Sequence, residues 1–358
     1  MLTQGIFPAI TTPFYPDGRL YLKKLEHNVD RYSRTPVSGM VVLGSTGETV
    51  MLSDEEQREV LRAARESAAD KKVLIAGTGQ ESALSTLALT EYAAKLGYDI
   101  ALVRTPSYYR PQMKAKPEGI LAHYRFIADR SPLPVMLYSV PPFTAYDLPV
   151  EMVIELASHP NIVGIKESSG DVPKIAAIRQ ATAQVKHNAN VTEIFEAVPG
   201  RMLQSQQTPT QNAGVITADS LAGGGSVAAS AATVAPPARF KLRSKEVGFQ
   251  VLAGAAQALH PSLQAGANGA VLAFASAAPT ACYEVYAAHK DGDHGLAEAK
   301  QERITTAAKR VGAGLGVPGL KYALDLNGYY GGPARLPLLP LTGDEKREVE
   351  ILMADLRN

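Results

Sequence analysis

A single cysteine, Cys282, occurs in the 358 residues, so an internal disulfide is excluded. Neither sign of charge is in excess: 36 basic and 35 acidic side chains leave a formal net charge of +1, and no basic run is interleaved with aromatics. That balance offers no electrostatic footprint for nucleic acid or for an anionic membrane. No stretch approaches the roughly 20 uninterrupted apolar residues of a membrane-spanning helix. The opening residues, Met1 to Pro8, lack the basic segment followed by an apolar stretch that marks a secretory signal, and a reducing cytoplasm is the expected setting. The seven histidines are dispersed, none falls in an HxH or HExxH pattern, and no metal is expected.

What remains is ordinary for a globular chain, with 46% hydrophobic and 20% charged residues, enough for one large barrel or two modest domains. Short apolar runs bounded by Gly, Pro, Ser or Thr recur at 6–10, 40–43, 73–76, 100–103, 135–138, 162–165, 249–253 and 270–275. Most are separated by longer segments with helical spacing. Alternation of this kind predicts a parallel sheet covered by helices, and eight such units predict a closed barrel. After the second run, Ser53-Asp54-Glu55-Glu56 forms a capping box with acidic residues in the first turn, and Val60, Leu61 and Ala64 form the stripe that turns inward.

From about Met202 to Ala238 the rhythm breaks into Ala, Gly, Ser, Thr and Gln. This composition cannot bury enough apolar surface to fold alone, so it reads as a surface excursion between the sixth and seventh strand units, with a lid or an oligomer contact as the sharper alternative. Val191 to Val198 is amphipathic enough for a helix anchoring its near end. The expected division is a barrel over 1–300 with an insertion at about 186–244, then a helical extension over 301–358.

Catalytic groups of such a barrel come from the C-terminal ends of its strands. Lys166 closes Asn161-Ile162-Val163-Gly164-Ile165-Lys166, within the run that continues to Asp171, where a buried parallel strand should be finishing. An apolar pocket disfavours an ammonium, and a neutral amine there attacks carbonyl carbon to make a Schiff base; the ordinary reading is a strand-end lysine whose head reaches water. Its neighbours decide. The second strand ends in Gly44-Ser45-Thr46-Gly47-Glu48, with two hydroxyls and several amides able to hold a carboxylate. Tyr108 and Tyr138 lie at the ends of the fourth and fifth strands; each alone reads as a half-buried aromatic with a satisfied hydroxyl. Together they provide the proton path that carbinolamine chemistry needs, with Tyr138 reaching the carbonyl and Ser45 and Tyr108 passing the proton onward.

The GSTGE turn, the tyrosine of Leu137-Tyr138-Ser139-Val140-Pro141 and the lysine of GIKESSGD stand in the order seen in pyruvate-dependent class I aldolases. The chain resembles the superfamily of dihydrodipicolinate synthase and N-acetylneuraminate lyase from Gly5 to about Asp171 and again from Phe249 to the C-terminal helices. The resemblance implies a (β/α)8 TIM barrel with C-terminal helices and leaves out the low-complexity insertion between strands six and seven. Leu137–Pro141, 147–149, 158–164, 249–254, 317–321 and 328–333 look most like 4-hydroxy-2-oxoglutarate aldolase, implying cleavage to pyruvate and glyoxylate. By carry-over Lys166 is the Schiff-base lysine and Tyr138 the general acid/base. Ser45 and Tyr108 complete the relay, Tyr108 reaching in from a neighbouring subunit. The amides of Ser45 and Thr46 hold the pyruvate carboxylate, and Gly47, Ser168, Ser169, Gly254 and Ser276 complete the substrate-binding residues. The only covalent partner implied is the substrate's imine on lysine, with no separate cofactor, and the assembly implied is a homotetramer built as a dimer of dimers.

Two departures bear on the substrate, a small 2-oxo acid. Dihydrodipicolinate synthase carries an arginine five residues after the tyrosine, where this chain has Phe143; the loss removes a bidentate carboxylate partner and disfavours condensation with aspartate semialdehyde. Ser169 and Ser276 replace a glycine and an asparagine of the hydroxyoxoglutarate aldolases, which opens the way to another aldehyde, or to a hydratase-aldolase reaction. A metal-dependent aldolase lacks its ligands. A phosphorylated-sugar aldolase would have only Gly266 to Gly269 for its phosphate. A barrel that binds a 2-oxo acid without turnover has no use for a desolvated amine beside a phenol relay.

Overall fold

Eight parallel strands form the centre of the computed structural model, which describes residues 3–191 and 243–357. They are β1 (Gly5–Pro8), β2 (Gly39–Val42), β3 (Val73–Gly77), β4 (Ile100–Arg104), β5 (Val135–Ser139), β6 (Ile162–Glu167), β9 (Gln250–Ala253) and β10 (Gly269–Leu272); β7 (Lys186–Val191) and β8 (Arg243–Gly248) lie outside the barrel. The hydrogen-bonded order is β1-β10-β9-β6-β5-β4-β3-β2, and a parallel bridge between Ala9 and Val41 joins the two ends. All eight expected strands are present as a closed (β/α)8 barrel. The last is shorter than its apolar run, because the chain leaves β10 at Leu272 and tightens into a 3₁₀ turn over Phe274–Ser276.

Every residue of the barrel strands is buried except Arg104, which is why they read as continuous apolar runs and not as alternating ones. Their side chains still divide by face. Phe7, Val41, Val73, Ile75, Ile100, Leu102, Met136, Tyr138, Leu252 and Val271 cluster in the interior, while Ile6, Val42, Leu74, Val103 and Leu137 pack under the helices. In β6 the alternation slips: Val135 pairs with Ile162 but Met136 pairs with Gly164, an irregularity at Val163. Ile162 and Ile165 consequently both face the helices. Strict alternation from Ile162 would have sent residue 166 outward; the extra residue turns Lys166 to the interior, beside Tyr138.

The helix Asp54–Ser67 begins as its sequence requires. Glu56 N donates to Ser53 Oγ at 3.2 Å, Ser53 N donates to Glu56 Oε2 at 3.0 Å, and Val60, Leu61 and Ala64 are buried. After the barrel, the helix His294–Ala307 runs into a π-helical stretch over Ala308–Gly314, followed by helices Gly316–Leu326 and Gly343–Met353.

Between β6 and β9 the chain leaves the barrel through β7 and β8, an antiparallel pair in register from Lys186 opposite Gly248 to Val191 opposite Arg243. The polar composition of Lys186 to Asn190 hides this ladder from a hydrophobicity pattern. The helix expected over Val191–Val198 lies, apart from Val191, outside the described residues, as does the low-complexity stretch. Among the described residues no helix is long and apolar enough to cross a membrane.

Candidate active site

Parallel pairing puts Arg104, Tyr138 and Lys166 side by side at the C-terminal ends of β4, β5 and β6. Lys166 is 4% exposed, and its Nζ stands 4.1 Å from the centroid of the Tyr138 ring, against whose face the amine rests. The Tyr138 hydroxyl lies 3.4 Å from Ser45 Oγ. Amine, phenol and serine hydroxyl therefore form one contiguous group, drawn from three strand ends.

Ser45 is delivered by a tight turn. Gly44 is extended, Ser45–Gly47 make one 3₁₀ turn, and Glu48 ends it in the left-handed region at φ 55°, ψ 33°. Thr12 Oγ1 donates to Gly47 O at 2.7 Å, tying the turn to the chain beyond β1. The first amides of such a turn, those of Ser45 and Thr46, have no partner within it and are suited to a carboxylate. Thr46 and Gly47 are both buried.

The other residues singled out from the sequence divide. Ser168 Oγ is buried without a hydrogen-bond partner. Gly254 faces it so closely that a Cβ there would stand 1.9 Å from that oxygen, so the position tolerates no side chain. Ser169 is exposed; its N–H donates to Glu167 Oε1 at 2.7 Å, and its Oγ accepts from Asp171 N at 3.1 Å. Ser276 is fully buried with its Oγ donating to Ala273 O at 2.7 Å, so its hydroxyl is spent within its own turn. Tyr108 is 77% exposed, edge-on against Tyr109 with 5.1 Å between ring centroids, apart from the Tyr138–Ser45 pair.

Three features escaped the sequence reading. Arg104 lines the same cleft as Ser45 and Tyr138. Its Nη1 donates to Glu81 Oε1 at 2.9 Å, while its Nε is buried without a partner. A charged residue ending an apolar strand, as with Lys166, was the available signal. Glu81 also accepts from the backbone N–H groups of Ser107 and Tyr108, both at 2.9 Å, and so fixes the loop that displays Tyr108. Burial acts to raise the Glu81 carboxyl, but these two N–H donors, Arg104 and the Ser107 hydroxyl outweigh it and hold the group at about 2.

The second feature is beneath the lysine. Glu167, fully buried, meets Lys174 Nζ at 2.8 Å; Lys174 also bonds Asp147, which accepts from Ser139 Oγ at 3.0 Å. This chain of charges braces the strand ends that carry Tyr138 and Lys166.

Third, three histidines that look dispersed in sequence converge in space. His260, His289 and His294 come from separate helix ends, and their ligand atoms all lie within 4.8 Å of one another. No local spacing motif signals such a meeting, and the expectation of scattered histidines fails for these three.

Comparison with known proteins gives the chain's family. The family model described as "Dihydrodipicolinate synthetase family" matches residues 2–189 and 227–356, passing over most of the low-complexity stretch. A curated 4-hydroxy-tetrahydrodipicolinate synthase of Methanothrix thermoacetophila is 30% identical over 99% of this chain and 98% of its own length. One of Xanthomonas campestris is 44% identical over 178 residues, half of this chain and 58% of that protein. The crystal structure of the chloride-inhibited dihydrodipicolinate synthase from Acinetobacter baumannii complexed with pyruvate superposes with a TM-score of 0.76 at 27% identity, covering 99% of both chains. These relatives bear the synthase name, not that of the 4-hydroxy-2-oxoglutarate aldolase which the sequence segments resemble. The chain belongs to the dihydrodipicolinate synthetase family.

Proposed function

We propose that this chain is a Schiff-base enzyme that makes or breaks a carbon–carbon bond at C3 of pyruvate, with Lys166 as the covalent residue. The observation that carries the reading is the buried Lys166 amine against the Tyr138 ring, with the Tyr138 hydroxyl 3.4 Å from Ser45 Oγ. The lone pair of Nζ adds to the C2 carbonyl carbon, and the oxygen takes a proton. Tyr138 delivers the proton with which that oxygen leaves as water, giving a protonated imine. The imine withdraws electrons from C3, whose proton departs to leave an enamine. The amides of Ser45 and Thr46 hold the pyruvate carboxylate through these steps, and Ser168 and Gly254 shape the far wall.

For the direction and the acceptor there are two readings, one from the relatives and one from the second half of the site. The synthase names of the relatives favour condensation, in which enamine C3 attacks the aldehyde carbon of aspartate semialdehyde and the aldehyde oxygen takes up a proton. Cleavage of 4-hydroxy-2-oxoglutarate is the second reading: the 4-hydroxyl loses its proton, the C3–C4 bond breaks into the imine, and glyoxylate leaves. One observation favours it, the replacement of the family's arginine by Phe143, which is 69% exposed. Both acceptors carry a carboxylate, and Arg104, which lines the cleft and has its Nε unpartnered, is the cation at hand to receive it. Tyr108, exposed in the single chain, completes the relay in a neighbouring subunit of a tetramer.

The test is incubation with pyruvate and borohydride, followed by intact-mass measurement and peptide mapping. A reduced pyruvyl adduct on Lys166, absent in Lys166→Ala, is expected; no adduct on the wild-type protein would overturn the proposal. Parallel assays of pyruvate consumption with aspartate semialdehyde and of pyruvate release from 4-hydroxy-2-oxoglutarate then separate the two readings.

A further inference from the structure

Away from the strand ends, the histidine cluster has a chemistry that the proposed reaction does not use. His260 sits in the short helix Leu259–Gln264, His289 near the end of the helix Pro279–Lys290, and His294 at the start of the helix His294–Ala307. Their ring centroids are 5.6 to 6.0 Å apart. His260 is 5% exposed, and its Nε2 is buried without a hydrogen-bond partner; His289 Nδ1 is likewise buried and unpartnered. A buried ring nitrogen left without a partner costs free energy, and two of them on the rings of one cluster call for an occupant.

The surroundings are built and not accidental. The backbone N–H of His260 donates to Gln301 Oε1 at 2.8 Å, and Gln301 Nε2 donates to Ala256 O and to Thr305 Oγ1, both at 3.0 Å, so the main chain at His260 is tied to the helix that carries His294. Asp293 Oδ1 accepts from Leu296 N at 2.9 Å and sets the start of that helix. Glu298, one turn beyond His294, lines the same cleft together with Glu302.

We propose that His260, His289 and His294 bind a borderline first-row divalent cation, Zn²⁺ or Ni²⁺ in type, with Glu298 beside the open coordination position. Three imidazoles with a carboxylate nearby suit such ions and are a poor set for Mg²⁺ or Ca²⁺, which take oxygen ligands. Around a tetrahedral zinc the ligand nitrogens stand about 3.4 Å apart, so the 4.8 Å cluster closes by small side-chain rotations, most easily at the exposed His294. The ion ties three helix ends together and acts as a structural clamp on the outer layer.

The experiment uses the full chain without an affinity tag, dialysed against chelator and then titrated with Zn²⁺, with bound metal and Tm measured together. One equivalent per chain and a higher Tm are expected, with no shift from Mg²⁺. His294→Ala, at an exposed ring, should fold and weaken zinc binding by at least about 100-fold, beyond the roughly 10–100-fold that loss of an outer partner costs. His289→Gln should do the same, and visible d–d bands of bound Co²⁺ should vanish in both. Absence of binding, or binding and Tm shift unchanged in these variants, would overturn the proposal. Capture of pyruvate on Lys166 reads the active site separately and is expected to persist in His294→Ala.

Discussion

Deleting one oxygen from Tyr138 separates its two contacts. Tyr138→Phe keeps the ring beneath Lys166 Nζ and removes the hydroxyl that meets Ser45. If Tyr138 is the acid/base proposed above, its loss lowers kcat by about 10²–10⁴-fold, while KM for pyruvate should change by less than about tenfold because the Ser45 and Thr46 amides proposed to hold the carboxylate are untouched. Steady-state kinetics check this; equal losses in binding and turnover would assign Tyr138 to the binding pocket instead. Arg104→Ala should show the converse pattern, a higher KM for the carboxylate-bearing acceptor with pyruvate capture intact. Lys166, Tyr138 and Ser45 were legible in the sequence because each sits at the predicted end of an apolar run, where a polar side chain is conspicuous. Arg104 sits in the same position but was passed over, and Ser276 was legible as a position while its hydroxyl proves to be spent on Ala273 O. A residue's direction depends on neighbours that a linear pattern does not contain.

Elements carry the next level of control, and the loop after β4 is the clearest case. Glu81 holds it by accepting from Ser107 N, Ser107 Oγ and Tyr108 N. Its carboxyl is at about 2 in the folded chain against an ordinary 4.5, so the folded state binds the proton less readily than the unfolded one. The stabilisation is therefore complete above about 4.5 and is lost as pH falls toward 2. Amide exchange in 105–109, corrected for its intrinsic rate, should rise through that window in the wild type, and Glu81→Gln should show the raised exchange already at neutral pH. If the variant protected these amides as the wild type does, Glu81 would not be the tether. At this scale the capping box and the inward stripe of the helix Asp54–Ser67 were readable, since both depend on residues within a few positions of one another. The irregularity at Val163 that aims Lys166 inward was not, because it exists only in the pairing of β6 with β5.

Across the whole molecule, the eight strand units were evident from periodicity, but the return of the C-terminal segment to the active-site turn was not: Lys321 in a helix reads as a solvated lysine. It is 1% exposed, with Nζ 2.6 Å from Glu48 Oε1, 2.7 Å from Pro333 O and 4.3 Å from the Phe14 ring centroid. Arg335 extends the clamp, its N–H donating to Glu48 Oε2 and its guanidinium to Gly18 O, Met51 O and Glu56. Burial draws the Lys321 ammonium below the ordinary lysine range, and Glu48 is the first group opposing that shift. The pair thus joins residues near both ends of the chain at the residue that terminates the Ser45 turn. Lys321→Met leaves Glu48 buried without its cation, a change that typically costs about 3–5 kcal/mol, whereas Lys321→Met with Glu48→Gln removes both charges and should recover much of the loss. Urea unfolding measures the stability. Borohydride capture of pyruvate reads the turn, and it should weaken in Lys321→Met although residue 321 does not line the cleft. Stability lost with capture unchanged would confine the clamp to holding the fold; losses that move together would make the C-terminal segment part of what positions Ser45 against Tyr138.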